Sequence, residues 1–331
     1  MRVLLSQLIQ RIDSTAYFFR YIESVTQLAI FLCSYLRDLE RVRRLHSSIV
    51  KFNLDQLPVY IAVPRADLAE FRSVISDPSI NWLTQEDVFA STPSARTGNY
   101  QNIRGGDMQQ VVKSESWRLG IAENMLVMDS DCKFLSPFQT SDFIADDGTP
   151  YSVVTEGGVG GDVHQLSLIM AKPKVWLDWI ETSDRTRQYF GNSSLQRYGY
   201  AGAPYIWSSR VWSDLSKIIL EPSGKTFLDL VYELGSELVI YGEALLALKS
   251  IPFKPHKPYF RMYCYERDLW SDRSQGIDES VLAKSYLGVT NQSNWEYWTD
   301  HRSYRKSLPS RVARTLRRNI ALVRWRLQSR D

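Results

Sequence analysis

A chain of 331 residues that is 44% hydrophobic and 23% charged, with 10 Trp, 18 Tyr and 13 Phe, has the composition of an ordinary globular protein and material for a sizeable core, which excludes a disordered polypeptide. Three cysteines, Cys33, Cys132 and Cys264, stand far apart with no CxxC or Cys/His spacing, so neither a disulfide framework nor a zinc site is indicated and a reducing compartment is expected. The net charge of +3 is uneven: residues 301–331 hold ten Lys/Arg and one acid, leaving the preceding body mildly acidic, which argues against nucleic-acid binding.

The first 25 residues carry Arg11, Asp13, Arg20 and Glu23 and lack both a clean apolar stretch and a small-residue cleavage site, so they do not read as a signal peptide. No window of about 18 residues is free of charge, so no transmembrane helix is expected. From Leu28 to Cys33 an apolar run suits a buried strand. The period then changes: Leu39, Val42, Leu45 and Ile49 recur at steps of three and four with Arg and Glu between them, an amphipathic helix. Val59 to Pro64 is a second β-rich apolar run, and strand, helix, strand makes a βαβ unit whose two strands are parallel neighbours.

Farther along, Asp67 to Ser76 reads as a helix and the NWLTQEDVF segment holds a short strand. Residues 91–107, rich in Gly, Ser, Asn and Pro, read as a loop. Gln109 to Glu123 reads as a helix leading into an apolar strand that ends at Met128, and another strand lies in PYSVVTEGG. The result is an α/β domain with a mostly parallel sheet flanked by helices, without internal repeats.

Sheets of this kind hold ligands beyond the C-terminal ends of their strands. At such an end the sequence places Asp129, Ser130 and Asp131. Two carboxylates spaced i, i+2 can turn toward one point where the chain leaves the strand, and two nearby anions are costly unless a cation joins them. Mg²⁺ or Mn²⁺ takes one or two protein carboxylates and completes its shell with water and phosphate oxygens. A turn or capping role for the aspartates is the plainer alternative.

The order of these parts, with CSYLRDLERVRRLHSSI after the first strand, VYIAVPRADLAEF at the second, GGDMQQVVK before the apolar strand and NMLVMDSDCKFLSPF through it, resembles a GT-A type (Rossmann-like) nucleotide-sugar glycosyltransferase. It is similar in particular to a bacterial group of glycosyltransferase-like proteins recognised by QQ-x-x-K before the strand and D-S-D after it. The resemblance covers residues 25 to about 250, with Gly105 to Phe138 its most specific part. It implies sugar transfer from a nucleotide diphosphate, a UDP-sugar by preference, with a divalent metal (Mn²⁺ or Mg²⁺) on Asp131 and Asp129, the latter also near the donor ribose. By position, Ser34, Tyr35 and Asp38 match where such folds hold the nucleoside, and Gln109, Gln110 and Lys113 match the segment beside the diphosphate. SELVIYGEALLAL matches an S-E-x-x-x-Y-G pattern facing the acceptor, making Glu237 the candidate general base and Glu243 its understudy.

Three further groups are weighed on the residues themselves. Tyr200, Tyr205 and Trp207, in GYAGAPYIWSSRVWSDL, could stack on an acceptor sugar or face inward from a loop and helix. His256, before Lys257 and Pro258, is a candidate third metal ligand or a solvated loop histidine. TEGGVGGDVH, with Glu156, Asp162 and His164, reads as a Gly-rich loop over the site or an ordinary turn.

The C-terminus is a basic amphipathic helix in pattern. Val312, Leu316, Ile320, Val323 and Leu327 fall on one stripe, and Arg311, Arg314, Arg317, Arg318 and Arg324 lie mostly elsewhere. Such a helix suits an anionic membrane surface through residues 310–330, or packs on the acidic body. The expectation is a GT-A-like domain over 1–300 and a tail over 301–331. It describes a cytoplasmic enzyme of cell-surface polysaccharide synthesis, peripheral on the inner face of the membrane, with a lipid-linked or glycan acceptor. A nucleotidyltransferase of related fold would need a Gly-rich basic loop after the first strand, which SYLRDLERV is not; an inactive membrane-docked scaffold is the non-enzyme alternative.

Overall fold

The computed structural model describes residues 26–156, 173–264 and 266–292, together with residues 309, 312, 313, 316 and 320. Strand β1 (Thr26–Cys33) leads through a short turn into α1 (Leu39–Phe52), then β2 (Val59–Val63), α2 (Leu68–Val74), β3 (Ile80–Thr84), α3 (Gln85–Ala90), α4 (Gly105–Glu115), β4 (Ala122–Met128) and β5 (Cys132–Phe134). There follow α5 (Pro173–Tyr189), β6 (Tyr205–Ser208), α6 (Ser209–Asp214), α7 (Phe227–Leu234), α8 (Glu237–Leu248), β7 (Phe260–Tyr263) and β8 (Gly288–Asn291).

The central sheet has the order β3-β2-β1-β4-β6. Its first four strands are parallel, and β6 runs antiparallel to β4. Because side chains alternate along a strand, each buried strand feeds two layers. Phe31, Cys33, Met125, Val127, Tyr205 and Trp207 face the side covered by α4, α6, α7 and α8. Leu28, Ile30, Leu32, Leu126, Met128 and Ile206 face the side covered by α1 and α2. This double burial explains why the strands read as unbroken apolar runs.

On the second side α1 buries Val42, Leu45 and Ile49. Beneath it lies a smaller sheet in which β8 joins β7 in parallel and β5 antiparallel. Phe134 of β5 stacks on Phe138 at 3.9 Å and meets Phe260 edge-on at 5.0 Å, so the chain after Ser130 is anchored by rings.

Register decides where the site lies. Leu32 stands opposite Ile61 on one side and Met128 on the other, so β1, β2 and β4 end at a common edge. Since β6 is antiparallel, it begins there, with Tyr205 opposite Val127.

Several boundaries differ from the sequence reading. The helix expected over Gln109–Glu123 starts at Gly105 and ends at Glu115; a 3₁₀ turn over Ser116–Leu119 and Gly120 at φ 64° close it, and β4 has begun by Ala122. The two glycines that read as loop occupy the first helical turn. Residues 91–107 contain two further 3₁₀ turns, Pro93–Arg96 and Tyr100–Asn102. Thr84 ends β3 and accepts from the Asp87 amide, starting α3 where only a strand was expected.

In the tail, residues 309, 312, 313, 316 and 320 are helical. The apolar side chains of Val312, Leu316 and Ile320 are exposed, at 62%, 61% and 45%. The remainder of the tail stripe, and Asp162 and His164 of the Gly-rich segment, lie outside the described residues. Among the described residues no helix is long and apolar enough to cross a membrane.

Candidate functional site

Beyond the ends of β1 and β2 opens a cleft of about 540 Å³ lined by Ser34, Tyr35, Gln85, Tyr100 and Gln109 and by Gly105 and Gly106 of α4. Its wall is built by side chains that bind the backbone of the strand end. Gln109 Nε2 donates to the Cys33 carbonyl at 3.0 Å, and Gln85 Nε2 donates to the Ser34 carbonyl at 2.6 Å. The Tyr100 hydroxyl donates to Gln85 Oε1 at 3.2 Å; burial, with nearby Glu86, pushes that phenol up to about 12, so it stays a neutral donor. Tyr35, 43% exposed, presents a ring to solvent at the mouth. At Gly105 and Gly106 nothing stands within 4 Å of where a Cβ would be, so a ligand can approach the first turn of α4, where the N–H groups of these two glycines lack intrahelical acceptors.

One turn farther along α4 from Gln109, Lys113 is 4% exposed and lies between two carboxylates, with Nζ 2.5 Å from Asp129 Oδ1 and 3.7 Å from Glu237 Oε1. Asp129 continues the alternation of Met125 and Val127 and so points to the α4 side. Its other oxygen accepts from the Tyr205 hydroxyl at 3.3 Å. Burial alone would pull the Lys113 ammonium down, but Asp129 and Glu237 outweigh it and push it up. Burial pushes the Glu237 carboxyl up, with Lys113 opposing. Burial also raises the Cys33 thiol to about 12, which makes it inert as a nucleophile despite its place at the strand end.

The remaining candidates are distributed as follows. Gln110 Oε1 accepts from the Glu237 amide at 3.0 Å, so this glutamine fixes the start of α8 in place of a cap from Ser236. Asp38 accepts from Ser130 Oγ at 3.0 Å and pairs with Arg41, which ties the acidic turn to α1 rather than lining the cleft. Asp131 lies on that same α1 side, among Arg41, Arg44 and Lys133. His256 sits on a short edge strand, stacked on Tyr259 at 4.2 Å with Nδ1 2.7 Å from the Lys257 carbonyl. Among the described residues no group of three His, Cys, Asp or Glu could hold a metal ion, so His256 does not join Asp129 and Asp131 in a three-ligand site.

The three aromatics part company. Tyr205 reaches Asp129, whereas Trp207 is buried between Tyr205, Trp212 and Tyr241. Tyr200 donates to Glu243 Oε1 at 3.0 Å, and Asn192 donates to Oε2 at 2.8 Å. All three aromatics border one small cavity of about 30 Å³, room for a water and not for a sugar ring. Glu243 is fully buried and held by two neutral donors, a structural carboxylate away from Lys113. A Cβ at Gly242 would stand 2.1 Å from the Tyr200 ring. Gly242→Ala is therefore expected to cost about 1–3 kcal/mol in urea unfolding, and an unchanged midpoint would contradict the packing described.

Gln85 and Tyr100 were not among the sequence candidates. The Thr84/Asp87 pairing that starts α3 was the available signal for Gln85; Tyr100 has none, since only the fold brings its loop to the cleft.

No curated protein matches the chain. Residues 22–245, which contain the cleft, Lys113, Asp129, Tyr205 and Glu237, match a family of unknown function, DUF6492, and the chain belongs to that family.

Proposed function

We propose that the protein is a GT-A-like glycosyltransferase that takes a nucleotide-diphosphate sugar, a UDP-sugar by preference, in the cleft and transfers the sugar to a hydroxyl of a glycan or glycolipid acceptor in cell-surface polysaccharide synthesis. The observation that carries this reading is the junction of two features at one sheet edge. A 540 Å³ cleft with Tyr35, Tyr100 and glutamine amides suits a nucleoside, and beside it stands the buried Lys113 between Asp129 and Glu237. Rings and amides at a strand end recognise a base and ribose by stacking and hydrogen bonding, and the open first turn of α4 suits phosphate oxygens.

Of the two aspartates it is Asp129, on the α4 side with Lys113, that could offer an oxygen to a divalent ion; Asp131 stands on the α1 side. Asp129 keeps 30% of its side chain exposed beside its Lys113 and Tyr205 contacts, and Mg²⁺ or Mn²⁺ needs only one or two protein carboxylates when substrate phosphates complete its shell. Bound there, such an ion would neutralise charge on the departing diphosphate. The protein's own part is positioning and proton transfer. Lys113 holds Asp129 in place, and Glu237, with its raised proton affinity, takes the proton of the acceptor hydroxyl as that oxygen bonds to the anomeric carbon and the bond to the diphosphate breaks. The exposed Val312, Leu316 and Ile320, with the arginines interleaved in sequence, support docking of the tail on an anionic membrane at the cytoplasmic face.

Calorimetric titration of UDP, GDP and CDP with and without Mn²⁺ tests the donor site. Manganese-dependent binding of one nucleotide, weakened about tenfold or more in Asp129→Asn, is expected. A folded protein that binds none of the three would overturn the reading.

A further inference from the structure

On the α1 side of the acidic turn lies a second groove, of about 440 Å³, that the donor reading does not use. Five cations line it: Arg41, Arg43, Arg44 and Lys51 from α1, and Lys133 from β5. Arg41, Arg44 and Lys51 follow at i, i+3 and i+10, so they share one face of the helix, beside the apolar row Val42, Leu45 and Ile49 that serves the core. Against them stand two carboxylates, Asp131 at the inner end and Glu279 at the rim.

Arg41 is held by Asp38 in a largely buried pair, but two of the groove's other ion pairs are loose. Arg43 with Glu40, and Lys133 with Glu279 at 2.6 Å, are pairs between side chains 40–58% exposed, and pairs so hydrated contribute about 0–1 kcal/mol. A ligand with two or more anionic oxygens can replace those partners, because guanidinium forks match phosphate geometry in a bidentate way. Lys51, 4.6 Å from the Phe52 ring centroid, adds a cation at the open end.

We infer that this groove is a separate anion site that takes a phosphate or diphosphate group carried by the acceptor. The acceptor role rests on the proposed glycosyl transfer; the phosphate binding stands without it. The phosphate could belong to a soluble glycosyl phosphate or to a lipid headgroup.

The test uses the full chain and the double variant R44E/K51E, both positions on the solvent side of α1. With UDP present throughout to fill the cleft, inorganic pyrophosphate is expected to bind the wild type and to bind the variant about tenfold more weakly or less. Flotation with vesicles containing phosphatidylglycerol, against vesicles of phosphatidylcholine alone, forms the second arm; the variant keeps its basic tail, so any loss reports on the groove. Loss with pyrophosphate alone supports a soluble phosphate, and loss in both arms supports a headgroup. Unchanged binding in both arms, with an unchanged melting curve, overturns the proposal. UDP affinity of the same variant, expected to equal that of the wild type, reports on the donor reading separately.

Discussion

Replacing Lys113 by methionine is expected to lower the stability of the protein by about 3 kcal/mol at neutral pH. The stem keeps its volume, but the ammonium between Asp129 and Glu237 is lost, and the largely buried Glu237 is left facing a second carboxylate. The pH dependence gives the distinguishing sign. In the wild type the Lys113 contribution comes from a raised folded-state affinity for its proton, so it is fully present below the ordinary lysine value of about 10.4 and lost only as pH rises beyond it. In the variant Glu237, raised by burial and no longer opposed by Lys113, holds its proton more tightly folded than unfolded, so stability grows as pH falls from 7 toward 4, and the gap to the wild type narrows. Urea unfolding at two pH values measures both effects. A variant as stable as the wild type at neutral pH would show that the three charges do not form a unit.

Glu237→Gln carries the largest expected effect on activity. Lys113 keeps its closer partner Asp129, so the fold should hold, and the cleft residues are untouched. Sugar transfer should nevertheless fall by about 10²–10⁴ with nucleotide affinity unchanged, the usual contribution of a positioned general base. Because burial raises the Glu237 carboxyl, the wild-type rate should climb with pH in a limb displaced above the normal carboxylate value of about 4.3, and that limb should vanish in the variant. Transfer within a few-fold of the wild type would remove Glu237 from the chemistry.

The βαβ start of the fold was legible because two periods are written in succession: the run Leu28 to Cys33, then Leu39, Val42, Leu45 and Ile49 at helical steps, then Val59 to Val63. The acidic turn was legible for the same reason, since Asp129 follows a strand buried on both faces. The beginning of α4 was not, because Gly105 and Gly106 are read as chain breakers and Arg104 gives no side-chain cap. Within the site, Glu237 could be nominated from its local pattern, but its pairing with Lys113 could not, as no local rule connects α4 with α8. Tyr200, Tyr205 and Trp207 are close in sequence and were taken together. The turn before β6 sends Tyr200 to Glu243, while Tyr205 and Trp207 share one face of β6 and differ in depth, Tyr205 at the strand's start reaching Asp129 and Trp207 lying in the core.

The long reach between α4 and α8 also sets an order of assembly. Gln110 and Glu237, joined by a hydrogen bond, are 127 residues apart. At about 5–20 residues per second, a growing chain has made β1 through β4 on the order of ten seconds before Glu237 leaves the ribosome. The four parallel strands can pair in that interval, yet the edge strand β6 and the second carboxylate beside Lys113 do not exist. A nascent half of this protein is thus a sheet with an open edge along β4 and a lysine still in contact with water. Drying of that ammonium must await α8, so the charged core of the site cannot close until Glu237 has been made.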